Sequence, residues 1–266
     1  MKKIIQCVPN DEDLDKTIAH INIIKKVGFD GVFLQWYDKN FLKINQQIEK
    51  CKSIGLKIEF IHLNYENINN LWINHETTPV IIDEYINKLY ICKNHNIETV
   101  ILHLSAKEKA PPMTNIGINN FKKIVKVAEN LDIFIALENT KTPGRFEYLY
   151  NNINSENLKL CLDTGHLHCF YKDNINWSFL KDKILTLHIH DNYQIKDNHL
   201  LPFDGNTNWH KLISNLQKAN YKGNVVLESH YTNYQNLDLF NFYKKSFEKA
   251  QKTQQLFKTT TYWHTF

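Results

Sequence analysis

Leu160-Cys161-Leu162-Asp163-Thr164-Gly165-His166-Leu167-His168 is the stretch on which the interpretation of the whole chain depends. It begins as an apolar run suited to a buried strand and breaks at a glycine, with a carboxylate and imidazoles at the break. Strand interiors disfavour Asp, so Asp163 is either the cap of a following helix or a ligand. Asp163 and His166 lie three residues apart across the turn, close enough to contact one cation. The stretch by itself leaves both alternatives open.

Short β-rich runs alternate with helical patterns on both sides of this stretch. The predicted strands are 4–8, 32–36, 57–63, 99–105, 133–139, 158–162, 184–190 and 224–229. The predicted helices are 11–26, 41–53, 80–95, 116–131, 143–152, 177–181, 209–219 and 237–255. Strands that alternate with helices indicate a parallel sheet.

Eight strand–helix units in about 250 residues match the size of an α/β (β/α)8 TIM barrel. A doubly wound open sheet is the alternative, but it usually carries a glycine-rich phosphate loop after its first strand. The segment Val8-Pro9-Asn10-Asp11 contains no glycine. We therefore expect one TIM-barrel domain over residues 1–256 and a tail of unassigned role over residues 257–266.

Composition restricts the class of protein further. The chain has 266 residues, 42% of them hydrophobic, and a formal net charge of +4. It contains no apolar run of the ~18 residues that a membrane span needs, and its apolar N-terminal run is too short for a signal peptide. Its five cysteines show no CxxC spacing, which favours a reducing compartment. We expect a cytoplasmic protein without a membrane partner.

Potential metal ligands recur where successive predicted strands end. They are His62, His103, Glu138, Asp163, His188, His190 and Glu228. The carboxyl ends of the strands carry the active site in TIM barrels. Because side chains alternate along a strand, His188 and His190 share a face, as do Ala136 and Glu138.

Several acids and imidazoles on one dry surface would carry unpaired charge unless a cation organised them. Mixed carboxylate and imidazole ligands suit Mn²⁺, Zn²⁺, Co²⁺ or Fe²⁺ better than Ca²⁺. The pattern therefore predicts a bound divalent metal. The loop at 197–209 adds Asp197 and His199, which are either further ligands, substrate contacts or part of a solvated turn.

The ordered motifs resemble the xylose-isomerase-like TIM barrels, which include sugar isomerases and epimerases as well as endonuclease IV. The matching stretches are Gly28–Val32, Ile61–Leu63, Leu137–Asn139, Leu162–His166, Leu187–Asp191, His199–Gly205 with Trp209, and Val226–Glu228. Each stretch is weak alone, but together they span nearly the whole chain in the right order.

The resemblance implies a ligand set and a reaction. In the epimerases a Glu, an Asp, a His and a second Glu hold one metal, and the matching positions are Glu138, Asp163, His188 and Glu228. Glu138 and Glu228 would also act as acid and base, which implies a metal-dependent sugar, sugar-phosphate or polyol isomerase or epimerase working through an enediolate. Substrate contacts would then come from His62, His103, His166 and His199.

The resemblance also implies alternatives. In endonuclease IV further ligands complete a three-zinc site that cleaves DNA at abasic positions, and the matching residues here are His62, His103, His166, Asp197 and His199. Gly165 and the Leu-Pro-Phe-Asp-Gly…Trp run look like the sugar branch, whereas the loops are not Arg-rich as a DNA partner would require. Phe33 departs from the acidic residue that many sugar members carry in the second strand. A dehydratase or a non-catalytic sugar-binding barrel also fits, and a homo-oligomer stays open.

Overall fold

The computed structural model describes residues 1–7, 14–36, 41–106 and 110–260, without the side chain of residue 41. All the strands within these residues belong to one parallel eight-stranded sheet and alternate with helices. This is the (β/α)8 barrel fold that the sequence predicts. The strands are β1 (Lys3–Gln6), β2 (Gly31–Gln35), β3 (Lys57–His62), β4 (Thr99–His103), β5 (Phe134–Glu138), β6 (Leu158–Asp163), β7 (Ile184–His188) and β8 (Val225–Leu227).

Helices follow most strands at the predicted places. They are α1 (Leu14–Val27), α2 (Phe41–Ser53), α3 (Thr78–Asn94), α4 (Asn115–Asn130), α5 (Arg145–Asn152), α6 (Thr164–Cys169), α7 (Trp177–Leu180), α8 (Trp209–Lys218) and α9 (Leu239–Thr260). Helix α6 and two short 3-10 helices, Ile68–Trp72 and Tyr231–Tyr234, were not predicted from the sequence. Val8, the last residue of the first predicted strand, and residues 11–13 of the first predicted helix lie outside the described residues.

The chain divides into two compact units. The first comprises Met1–Leu34, Lys39–Glu59 and Leu162–Phe266, and the second comprises Gln35–Asp38 and Phe60–Cys161. In the first unit β1 pairs in parallel with both β2 and β8. In the second unit the register of β4 and β5 sets His103 beside Glu138. The expected domain limits, 1–256 with a separate tail, stay a prediction, although α9 continues through residues 257–260.

Trp36 and Trp72 are both buried. Trp36 is 1% exposed and Trp72 is 0% exposed. The Trp72 indole donates to the Leu104 carbonyl at 2.7 Å, and a Cβ on Gly117 would lie 2.2 Å from the Trp72 ring. Both tryptophans therefore pack the interior. No described helix combines the length and apolar character needed to span a membrane.

Helix α1 is fastened to α9 through a half-buried histidine. His20 Nδ1 lies 2.7 Å from the Tyr243 hydroxyl, and the two rings meet edge to face at 5.7 Å between centroids. Burial lowers the pKa of His20 from 6.5 to about 4. His20 therefore stays neutral in the folded protein down to about pH 4. In the unfolded chain the same residue takes up a proton below pH 6.5.

We predict that His20 contributes to loss of stability in mild acid. Between pH 6.5 and 4 the unfolded chain binds a proton that the folded chain does not, so the free energy of unfolding falls as pH falls. Urea titrations at pH 7, 5.5 and 4.5 should show a shallower pH dependence for His20→Gln than for the wild type. The exposed His210→Gln serves as the control and should follow the wild type; parallel curves for all three proteins would contradict the prediction.

Candidate metal and sugar site

Three of the predicted residues converge at the ends of β3, β4 and β5, in the second unit. We call His62, His103 and Glu138 the β3–β5 cluster. Glu138 Oε2 lies 3.1 Å from His62 Nε2 and 3.2 Å from His103 Nε2, and the two imidazole nitrogens are 3.2 Å apart. All three residues are buried. Three donor atoms that face one another at this spacing form a site suited to a cation.

Backbone contacts orient the donors of this cluster. His62 Nδ1 lies 2.9 Å from the Leu63 carbonyl, which can only accept, so Nδ1 donates there and Nε2 is turned toward Glu138. A metal-ligating histidine commonly uses its second nitrogen in this way. The Tyr65 ring stacks on His103 with centroids 3.9 Å apart and planes 7° apart. Tyr65 was not identified from the sequence, where one aromatic residue in a loop carries no signal.

A second group lies at the ends of β6, β7 and β8, in the first unit. We call Asp163, His188 and Glu228 the β6–β8 cluster. His188 Nδ1 is 3.4 Å from Glu228 Oε2 and 3.9 Å from Asp163 Oδ2. The Phe33 ring stacks on His188 with centroids 5.2 Å apart. Phe33 stands where many sugar members of the family carry an acidic residue, and here it supplies an apolar ring against His188.

Asp163 is both a helix cap and a member of this cluster. Its Oδ1 accepts the backbone N–H of His166 at 2.6 Å, which caps α6. His190 Nε2 also lies 3.0 Å from Oδ1 and 3.2 Å from Oδ2. Asp163 is therefore the helix cap that the sequence offers as one alternative, and its role as a metal ligand stays a prediction.

His190 is the site residue that the resemblance did not assign. It is fully buried, and a Cβ on Gly165 would lie 1.8 Å from its Cε1, so residue 165 has to be glycine for the ring to fit. Burial acts to lower the pKa of His190, but the charge and hydrogen bond of Asp163 outweigh burial and raise the pKa above its ordinary value. The shared face of His188 and His190 was the available signal in the sequence.

The remaining predicted residues form a third group, also in the first unit. We call His166, Asp197 and His199 the loop triad. Asp197 Oδ2 is 3.2 Å from His166 Nε2 and 3.3 Å from His199 Nε2. Burial acts to raise the pKa of Asp197, but the hydrogen bonds from His166 and His199 hold it far below its ordinary value. The carboxylate is therefore ionised between two imidazoles.

The donors of the first unit fit a divalent cation. His190, His199 and Glu228 offer ligand atoms that lie within 4.8 Å of one another. His190 Nδ1 and Asp197 Oδ1 are buried 3.8 Å apart, and neither has a hydrogen-bond partner within the described part of the chain. Buried polar atoms left unpaired are costly, and a cation bound among these residues would satisfy them.

Asp191 holds the loop that carries Asp197 and His199. It is fully buried. Its Oδ1 accepts the backbone N–H of Asn192 at 2.9 Å and of Thr207 at 3.2 Å. Its Oδ2 accepts the Gly205 N–H at 3.0 Å and the Trp209 indole N–H at 3.1 Å. Gly205 and Trp209 of the Asp-Gly…Trp run noted in the sequence thus supply two of the four donors to this carboxylate.

The comparisons with known proteins agree with this architecture. A family model described as the xylose isomerase-like TIM barrel matches residues 21–259. The fold and the matched length define a (β/α)8 barrel of this class, and the chain belongs to the xylose isomerase-like TIM barrel family.

Relatives by sequence carry different descriptions. A probable endonuclease 4 of Mycoplasma mycoides subsp. mycoides is 26% identical over 183 residues, 60% of this chain and 62% of that protein. An uncharacterized protein of Methanocaldococcus jannaschii is 26% identical over 219 residues, 79% of this chain and 81% of that protein. The chain spans 35%, 62% and 59% of the length of the first three curated relatives it matches.

Similar solved structures are described as sugar epimerases. A D-tagatose 3-epimerase-like protein superimposes with a TM-score of 0.73 at 19% identity, over 98% of this chain and 100% of the other. D-psicose 3-epimerase with D-tagatose from Clostridium cellulolyticum H10 gives a TM-score of 0.77 at 15% identity, over 97% and 99%. At these identities the similarity shows a common fold.

We predict that Asp191→Asn loosens the 192–209 loop. The amide would turn an N–H toward backbone N–H donors, and the loss of hydrogen bonds to a buried charge should lower the free energy of unfolding by about 2 kcal/mol. Urea denaturation and amide hydrogen exchange at residues 200–207 measure both effects. Asp83→Asn, at an exposed position of α3, is the control; equal exchange rates in the two variants would contradict the prediction.

Proposed function

We propose that this protein is a divalent-metal-dependent isomerase or epimerase of a keto-sugar, a sugar phosphate or a related polyol. The observation that carries the proposal is Glu228, a buried carboxylate whose Oε2 lies 3.4 Å from His188 Nδ1 and 3.8 Å from His199 Nδ1. A carboxylate in such an imidazole-rich, water-poor setting is suited to moving a proton beside a metal. The sugar 3-epimerase descriptions of structurally similar proteins support the same class of reaction.

The proposed ligands of one divalent metal, Mn²⁺, Zn²⁺, Co²⁺ or Fe²⁺, are Glu138, Asp163, His188 and Glu228. Each stands at or just beyond the carboxyl end of its strand, the end at which barrel enzymes assemble their sites. A metal bound there would supply Lewis-acid polarisation of a carbonyl and its neighbouring hydroxyl.

The two glutamates would carry the proton transfer. One carboxylate takes the proton from the carbon next to the carbonyl, and the electron pair of that C–H bond passes into an enediolate of the substrate. The other carboxylate returns a proton, either to the same carbon from the opposite side or to the neighbouring carbon. His62, His103, His166 and His199 would hold the substrate's oxygen atoms in this proposal.

We predict that Glu228→Gln keeps the fold and loses at least ~100-fold in turnover, the lower end of a general-base contribution. The amide is nearly isosteric with the carboxylate but cannot take up the proton. Turnover should be measured with a panel of keto-sugars and keto-sugar phosphates that includes D-tagatose, after the fold of the variant has been checked by circular dichroism.

Glu156→Gln provides a matched control, because the Glu156 side chain is 98% exposed. It should retain wild-type turnover. Near-normal activity of Glu228→Gln on the substrate that the wild type turns over would contradict the role of Glu228 in proton transfer.

A phosphodiesterase of the endonuclease IV kind is the second candidate. The observation that favours it is the loop triad, since His166 and His199 both turn Nε2 toward Asp197. A four-ligand, one-metal site does not require that arrangement. Curated relatives described as probable endonuclease 4 agree with it.

Metal content separates the two candidates. The epimerase proposal predicts one metal per chain, with none lost in Asp197→Asn. The nuclease alternative predicts three metals, one fewer in Asp197→Asn, and binding to abasic duplex DNA that weakens steeply with salt. Elemental analysis of wild type, Asp197→Asn and the control Asp83→Asn, with duplex titrations at 50 and 200 mM salt, measures these outcomes.

A further inference from the structure

The imidazole of His199 is packed between two other imidazoles. The His190 ring lies parallel to it with centroids 3.9 Å apart and planes 16° apart. The His230 ring lies at the same 3.9 Å with planes only 3° apart. Two rings parallel to His199 at this distance would collide on one face, so His190 and His230 cover opposite faces.

The backbone of His199 is held as tightly as its ring. Residue 199 has a φ of 51°, a conformation that residues other than glycine rarely adopt. The His199 carbonyl accepts the backbone N–H of His230 at 2.9 Å. Strained backbone persists where the surroundings over-determine it, and such positions cluster at functional sites.

The segment that holds His199 is residues 229–234. Besides the His230 bond, Ser229 Oγ donates to the Leu200 carbonyl at 3.0 Å, and Asn233 Nδ2 donates to the Asn198 carbonyl at 2.7 Å. The Tyr234 hydroxyl accepts the Leu201 N–H at 2.8 Å. Each residue from 198 to 201 is therefore tied to the segment that begins directly after Glu228.

The orientation of the His199 ring follows from the same arrangement. Its Nδ1 lies 2.9 Å from the Glu228 backbone carbonyl and has to donate there. Its Nε2 faces Asp197 Oδ2 at 3.3 Å, so each ring nitrogen has an oxygen acceptor. A flip of the ring would turn both nitrogens away from these acceptors, and the two flanking imidazoles oppose that rotation.

We propose that His230 is a positioning residue, which holds the His199 ring in the orientation that presents Nε2 to Asp197. Nothing in the motif pattern assigns His230 a role. The proposal rests on the stacked geometry and goes beyond the proposed reaction, since it applies to His199 whether that residue contacts a substrate or a metal. The positioning role requires a flat ring at position 230, and it does not require the nitrogens of that ring.

The experiment compares His230→Phe, which keeps a flat ring, with His230→Ala, which removes it; the exposed His210→Ala is the control. The readout is the pair of His199 ring-nitrogen shifts in the metal-free protein, from long-range ¹H–¹⁵N correlations of ¹⁵N-histidine-labelled samples. Wild type, His210→Ala and His230→Phe should show the same pair of shifts, as expected for a ring held with both nitrogens at their acceptors. His230→Ala should show both shifts moved, because its ring exchanges between orientations.

Titration with Co²⁺ supplies a second readout, with His199→Ala as the reference. If His199→Ala weakens Co²⁺ binding, His230→Ala should weaken it roughly 10-fold, the low end for residues that orient a ligand, and His230→Phe should restore it to within about twofold. Unchanged His199 nitrogen shifts in His230→Ala overturn the positioning role. Absence of Co²⁺ binding in the wild type instead overturns the proposed metal-dependent function, and the nitrogen shifts still decide the role of His230.

Discussion

The buried charge of Asp163 is the constraint on which the first unit's site depends. Its side chain is 0% exposed, and a carboxylate taken out of water is tolerated only when donors or cations surround it. The capped α6 N-terminus supplies one donor, the His166 N–H at 2.6 Å from Asp163 Oδ1, and His190 Nε2 lies 3.0 Å from the same oxygen. The polar surroundings of Asp163 thus stabilise its buried charge. They also bring together the groups that chemistry at this site would use.

A glycine and several backbone carbonyls also position the polar side chains around the site. Gly165 leaves the space that the His190 ring fills. The carbonyls of Leu63 and Glu228 accept from His62 and His199, so each imidazole turns Nε2 toward a carboxylate of its own unit. Asp191 gathers four N–H donors and fixes the loop from which Asp197 and His199 project. Backbone contacts therefore fix the orientation of these side chains.

Much of the fold was predictable because its signals are local. Alternation of strand and helix, period-two patterning in β7 and apolar runs each need only a few neighbouring residues, and the predicted strands agree with the observed ones within a few residues. The predicted elements differ from the observed ones where a single side-chain hydrogen bond sets the end of a helix or strand. Helix α6 has six residues and depends on the Asp163 cap, and β7 ends at His188, after which the His190 N–H turns to the Thr164 hydroxyl at 3.3 Å.

The sequence by itself determined the barrel, the strand ends at which acids and imidazoles gather, and the residue types available to a divalent metal. Only the tertiary structure decided which of those residues meet. Within each unit it brings them together as the β3–β5 cluster, the β6–β8 cluster and the loop triad, and it adds His230, to which the motifs assign no role. The reason is that periodicity fixes the face on which a side chain lies, whereas a contact between His62 and Glu138, 76 residues apart, depends on how whole strands and loops pack.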